Sequence, residues 1–209
     1  MAKNFVIVGL GNPGEEYEQT RHNVGRIVLE QFRKVYELAE WESDKKTQSK
    51  VTKGKVERIG VLLMQPETFM NNSGKSVGAV SPTLLGRKIT KGKKFYENLI
   101  IVHDDIDLPI GTLRVSYNRG PGGHNGLKSV VKVLGSEAFT RVRVGVSKVT
   151  PSGKLKKPIG EDAVIDLILG KFSKAESEEF KKIAKRAAEA LTAIITEGRD
   201  RAMGEYNRS

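Results

Sequence analysis

The chain alternates short unbroken apolar runs with longer stretches in which apolar residues recur at helical spacing. Phe5 to Val8 is the first such run, and it empties into Gly9-Leu10-Gly11-Asn12-Pro13-Gly14. That pattern predicts a buried strand followed by a loop whose backbone approaches a neighbour closely. From there Val24, Ile27, Val28, Phe32 and Val35 keep the spacing of one helix face, which places His22 at or just before a helix N-terminus. Thr20 or Asn23 is its expected cap.

Thr47 to Val56 alternates in part and Gly60 to Met64 is apolar, so a hairpin is expected with its turn around Glu57 to Gly60, ended by Gln65-Pro66. A short helix follows near Lys75 to Val80. Gly86 to Glu97 holds Arg87, Lys88, Lys91, Lys93 and Lys94 and reads as an exposed loop, either touching phosphate or simply solvated. Asn98 to Val102 is a second apolar strand, followed at once by His103-Asp104-Asp105-Ile106-Asp107-Leu108-Pro109. Thr112 to Tyr117 alternates as a strand, Asn118 to Gly126 is a second glycine-rich loop, and Leu127, Val130, Val131 and Leu134 mark a helix. Phe139 to Val146 alternates strictly, which predicts a half-buried strand with Arg141 and Arg143 on its open face. Ser147 to Gly160 reads as a lysine-bearing loop, and Glu161 to Leu169 and Ser173 to Glu197 as helices. The expectation is an α/β fold: one three-layer domain over residues 1–198, with a twisted, mostly parallel mixed sheet and helices on both faces. Residues 199–209 are expected to form a loose tail.

Composition narrows the function. Hydrophobic residues make up 38% and charged residues 29%, as in a soluble globular protein. No segment has the length of a membrane span or the layout of a signal peptide, so a cytoplasmic protein is expected. There is no cysteine, which excludes disulfides, thiolate metal sites and cysteine nucleophiles, and leaves three histidines as the only imidazoles. A formal charge of +11 favours a polyanionic partner, most commonly nucleic acid. With only 6% aromatic residues, phosphate contacts should dominate over base stacking.

Several motif matches fail in context. Gly9 to Gly14 has the letters of a dinucleotide-binding fingerprint, but Pro13, Gly14, Glu15 and Glu16 delay the helix that should face the pyrophosphate. Gly74-Lys75-Ser76 resembles the end of a phosphate loop, yet Phe69 stands where its first glycine belongs. A nucleophile-elbow serine is missing too. What remains is a set of polar side chains in or near loops at strand ends: Asn12, His22, Asn71, Asp104 and Asn125. A histidine oriented by a carboxylate takes a proton from water near neutral pH, and asparagines position a water or an amide without adding charge. That chemistry suits ester or amide hydrolysis with neither metal nor cofactor. His103 reads as a packing residue, His124 as an anchor for its glycine loop, and Asp107 as a turn residue.

Four motifs in order make the reading specific: Gly-Leu-Gly-Asn-Pro-Gly-x-x-Tyr-x-x-Thr-Arg-His-Asn from Gly9, Phe-Met-Asn-x-Ser-Gly from Phe69, His-Asp-Asp-Ile-Asp-Leu-Pro from His103, and Gly-Gly-His-Asn-Gly-Leu from Gly122. Together they closely resemble the bacterial-type peptidyl-tRNA hydrolase family, over about Phe5 to Gly145. The resemblance implies a monomeric α/β enzyme, with no obligatory protein partner, that cleaves the ester between a peptide and the 3'-terminal ribose of tRNA. It implies His22 as catalytic base and Asp104 as its partner. Asn12, Asn71 and Asn125 would position peptide, water and terminal nucleotide, Tyr17 and Met70 would line the channel, and His124 would support the loop. Ser116 stands where the family commonly has a lysine that clamps the tRNA 5'-phosphate. Arg143 matches the clamp's arginine, with Arg114 or Arg119 as substitutes for the missing charge. A non-catalytic RNA-binding relative of the same fold is the alternative, and a dinucleotide-dependent oxidoreductase is a third reading.

Overall fold

A computed structural model describes residues 4–208; residues 1–3 of the expected domain and residue 209 of the expected tail lie outside the described residues. At its centre four strands run parallel: β1 (Asn4–Gly9), β4 (Ile59–Pro66), β7 (Leu99–Pro109) and β9 (Thr140–Ser147). Antiparallel strands β2 (Glu42–Asp44), β3 (Ser49–Val56) and β8 (Leu113–Tyr117) flank them, giving a seven-stranded mixed sheet in the order β2-β3-β4-β1-β7-β9-β8. Phe5 and Ile7 belong to the core on one face, Val6 and Val8 to the core on the other. An unbroken apolar run is what a strand covered on both faces requires. Helices α1 (Val24–Val35) and α5 (Lys174–Thr196) pack on the first face. The second face carries α2 (Ser73–Gly78) and α3 (Asn125–Leu134). Ser173 and Glu176 form a reciprocal capping box that starts α5.

The fold departs from expectation in four places. The segment expected as a basic loop is a hairpin of β5 (Arg87–Thr90) and β6 (Lys93–Tyr96). Its turn is Lys91-Gly92, both at positive φ (49° and 73°), as a two-residue hairpin turn of the right twist demands. Next, β9 is not half-open. It lies between β7 and β8, all of its residues are buried, and Arg141 is only 1% exposed. Arg141 satisfies part of its guanidinium by donating from Nη1 to Gly120 O at 2.9 Å and stacking over the Phe139 ring. Third, β7 does not stop at Val102 but runs on to Pro109, so His103 and Asp104 sit on a strand rather than in a loop. Fourth, the terminal segment is not loose over its described residues. Arg199–Tyr206 forms α6, which buries Ala202 and packs Met203 and Tyr206 on the core. Asn207 then accepts from Val115 N–H at 2.8 Å and donates to Val115 O at 2.9 Å, occupying the exposed edge of β8 as a neighbouring strand would.

Candidate active site

The site forms where β7 outruns β1. Gly9, the last residue of β1, pairs with Val102, so His103 and Asp104 lie just beyond the end of the central strand. The N-terminus of α1 sits directly over this point. A β-carbon at Gly25 would strike Val102 O and the Leu10 backbone, and one at Gly9 would strike Gly25 O. These glycines therefore serve helix-to-strand contact, not a phosphate. The approach carries the 3-10 turn Arg21–Asn23 with it and delivers His22 onto Asp104.

The capping expectation is not met, since neither Thr20 nor Asn23 caps with its side chain. Asn23 instead clamps the first loop: Asn12 N–H donates to its Oδ1 at 2.8 Å and its Nδ2 donates to Asn12 O at 2.9 Å. Arg21 ties the turn to the far end of the chain, donating to Lys171 O at 2.8 Å and forming a two-pronged pair with Glu176. Neither partnership is visible in the pattern of the sequence, because the partners lie on other elements.

Asp104 is 3% exposed and receives two histidines. His22 Nδ1 donates to it at 2.9 and 3.0 Å, and His124 Nε2 donates to Oδ1 at 2.9 Å. Burial on its own would lower the His22 imidazole, but the charge and hydrogen bond of Asp104 outweigh it and hold His22 above the ordinary histidine value. Burial likewise opposes the Asp104 carboxylate, and the two histidines overcome it, keeping Asp104 ionised well below the usual range. His124 also caps α3: its Nδ1 accepts from Gly126 N–H at 3.1 Å and Leu127 N–H at 3.3 Å. That nitrogen must keep its lone pair, so the ring's one proton sits on Nε2 and points at Asp104. His103 is neutral, held well below the ordinary value by burial and by neighbouring His124, and its Nδ1 donates to Asp104 O at 2.6 Å. With Nδ1 committed, His22 has Nε2 left for chemistry.

His22, Asp104 and His124 place ligand-type atoms within 4.8 Å of one another. A metal there would need a lone pair on His124 Nε2 as well as the one on Nδ1 already used by the helix cap, which a neutral imidazole does not have. The donor set fits a hydrogen-bonded relay.

A cavity of about 460 Å³ opens beside the dyad, walled by His22, Asp104, His124 and Asn125, by Arg119, Arg141 and Arg143, and by Val164, Ile165 and Ile168 of α4 (Glu161–Leu169). Asn12, Tyr17, Met70 and Asn71 are not among its lining residues. Asn12 is buried and accepts from Met70 N–H at 2.8 Å through Oδ1, which leaves its Nδ2 to donate. Asn71 and Asn125 are exposed, and Tyr17 is half-buried on the turn Glu15–Tyr17. Arg143 is buried and paired with Asp105 at 2.6 Å; Arg114 stands opposite it in the β8–β9 register. Ser116 stands opposite Arg141. Arg141, which the strand pattern placed on an open face, has no hydrogen-bond partner at Nε or Nη2 among the described residues, and burial lowers it to about 10.

A mostly parallel mixed sheet covered on both faces, with a histidine–carboxylate pair at its strand ends, has the architecture of an α/β enzyme. The chain belongs to the peptidyl-tRNA hydrolase family, whose profile matches residues 6–209. A peptidyl-tRNA hydrolase from Carboxydothermus hydrogenoformans is 36% identical over 204 residues, covering 98% of each chain. One from Clostridium novyi is 36% identical over 203 residues, covering 97% of each. The crystal structure of the enzyme from Acinetobacter baumannii superposes with a TM-score of 0.82 at 30% identity, over 100% of this chain and 96% of that one.

Proposed function

We propose that this protein hydrolyses the ester linking a peptide, or an N-blocked aminoacyl group, to the 3'-terminal ribose of tRNA. The carrying observation is the His22–Asp104 dyad, buried at the wall of a cavity in a chain that matches the family over nearly its whole length. His22 Nε2 takes a proton from water as the water oxygen attacks the ester carbonyl. Asp104 holds the proton on Nδ1 and stabilises the imidazolium that forms. Collapse of the tetrahedral intermediate breaks the bond to the ribose oxygen, which recovers the proton from His22. An ester is activated enough that a positioned water and a base suffice, without a covalent intermediate or a metal.

The remaining roles are those that the family's motifs imply for the matching residues. Asn12 Nδ2 donates to the acyl group or to its developing oxyanion, Asn71 holds the water, and Asn125 holds the terminal nucleotide. Tyr17 and Met70 line the peptide's path, and His124 fixes Asp104 from the other side. Arg143, with Arg114 and Arg119 in place of the absent lysine at Ser116, receives the 5'-phosphate. On this reading the enzyme acts as a monomer in the cytoplasm. Purified protein in a chelator, offered N-acetyl-aminoacyl-tRNA and free aminoacyl-tRNA separately, is expected to release tRNA only from the acylated substrate. His22→Ala should lose nearly all turnover, on the order of 100- to 10,000-fold. Cleavage that survives the substitution would overturn the mechanism.

A further inference from the structure

A run of cations leads from the cavity along α3 and onto the β5–β6 hairpin. Asn125, Lys128 and Lys132 share one face of α3, and both lysines are exposed. The helix face beside them is taken by α2, where Gly74 N–H donates to Ser129 Oγ and Gly78 faces Val133. The hairpin is fastened at the far end of α3, ~15 Å from Asn125. Tyr96 donates its hydroxyl to Leu134 O at 2.9 Å, and Ser136 Oγ donates to Lys94 O at 2.6 Å.

Every residue of β5 is exposed, so the hairpin projects from the body. Register puts Arg87 and Lys94 on one of its faces and Lys88 and Lys93 on the other, with Lys91 at the tip. Lys88 pairs with Glu97 at 2.7 Å; Arg87, Lys91, Lys93 and Lys94 form no ion pair among the described residues. A protein partner would call for an apolar centre with a polar rim, whereas Ile89 is the sole large apolar side chain the hairpin exposes. Point charges on two faces and a tip match a lattice of phosphates.

We propose that the hairpin, with Lys128 and Lys132, is a second phosphate-contacting surface that grips the tRNA backbone away from the acylated 3' end. The inference rests on the function proposed above. The test compares wild type with K91Q/K93Q/K94Q and with K45Q/K53Q/K55Q, which removes the same charge from the β2–β3 edge of the seven-stranded sheet. Binding of deacylated tRNA and of a short CCA-ended oligonucleotide is titrated against salt, and kcat and KM are measured on N-acetyl-aminoacyl-tRNA. Loss of the hairpin charges should weaken tRNA binding about tenfold at 0.1 M salt and flatten the salt slope by roughly 0.9 for each phosphate no longer neutralised. It should raise KM, leave kcat unchanged, and leave the oligonucleotide's affinity as it was. Unchanged tRNA affinity, or an equal loss in the edge variant, overturns the surface while leaving the hydrolase reading intact. Hairpin-dependent tRNA binding by a wild type that hydrolyses nothing would support the surface and overturn the hydrolase reading.

Discussion

At the scale of single residues, the behaviour of His22 is set by Asp104. Since protonated His22 cannot serve as base, activity should fall on the acid side through a value above the ordinary histidine pKa of ~6.5. Asp104→Asn removes the charge that offsets burial, so the acid limb of kcat/KM should move to lower pH while the plateau drops on the order of 100-fold or more. An unmoved limb would separate the limb from His22. Linkage gives a second readout. A histidine raised in the folded state adds stability that is full below its unfolded pKa and is lost as pH rises through the folded one. Urea midpoints of wild type and His22→Ala should therefore lie further apart at pH 6 than at pH 9. The members of this pair were legible as an apolar run leading into His103-Asp104 and a histidine delivered by the first loop, and it is the resemblance in motifs that joins His22 to Asp104. The clasps that hold it were not. Asn23 to Asn12 and Arg21 to Glu176 are polar partnerships fixed by tertiary approach, and residue type alone does not encode who meets whom.

At the scale of elements, periodicity served well where apolar residues do the packing. The core strands and α1, α3 and α5 follow their apolar patterns closely. It failed where charge disguises the element. The strands of the β5–β6 hairpin carry lysine and arginine, so their turn, Lys91-Gly92, was the one legible sign. Arg141 and Arg143 alternate on β9 as solvent-facing residues would, yet a neighbouring strand, an aromatic ring and Asp105 cover them. The packing of α1 on the strand ends makes a sharp prediction. Gly25→Ala would force backbone apart at Val102 and Leu10, destabilising the fold by about 1–3 kcal/mol and shifting His22 from Asp104. Chemical denaturation and kcat should both register it, whereas Gly204→Ala, which faces open space within α6, should leave kcat unchanged and raise stability slightly.

At the scale of the whole molecule, the charge of +11 and the last helix matter most. The tail reads as loose because α6 is short and mostly polar, with Ala202, Met203 and Tyr206 its only contribution to the core. Its anchoring comes from Met203 and Tyr206 against the core and from Asn207 on the β8 edge. Asn207→Ala should cost about 1–2 kcal/mol, from two broken hydrogen bonds and a bared strand edge, and lower the thermal midpoint. A midpoint equal to wild type would show that the edge is satisfied by water alone.

The dyad joins positions 82 residues apart, and the Arg21–Glu176 clasp joins positions 155 apart. A chain made from its N-terminus thus holds its base long before it holds the carboxylate. It completes the clasp on the histidine's turn only when Glu176, in the first turn of α5, has been made. A fragment ending before Glu176 is therefore left without the outer fastening of the turn that carries His22.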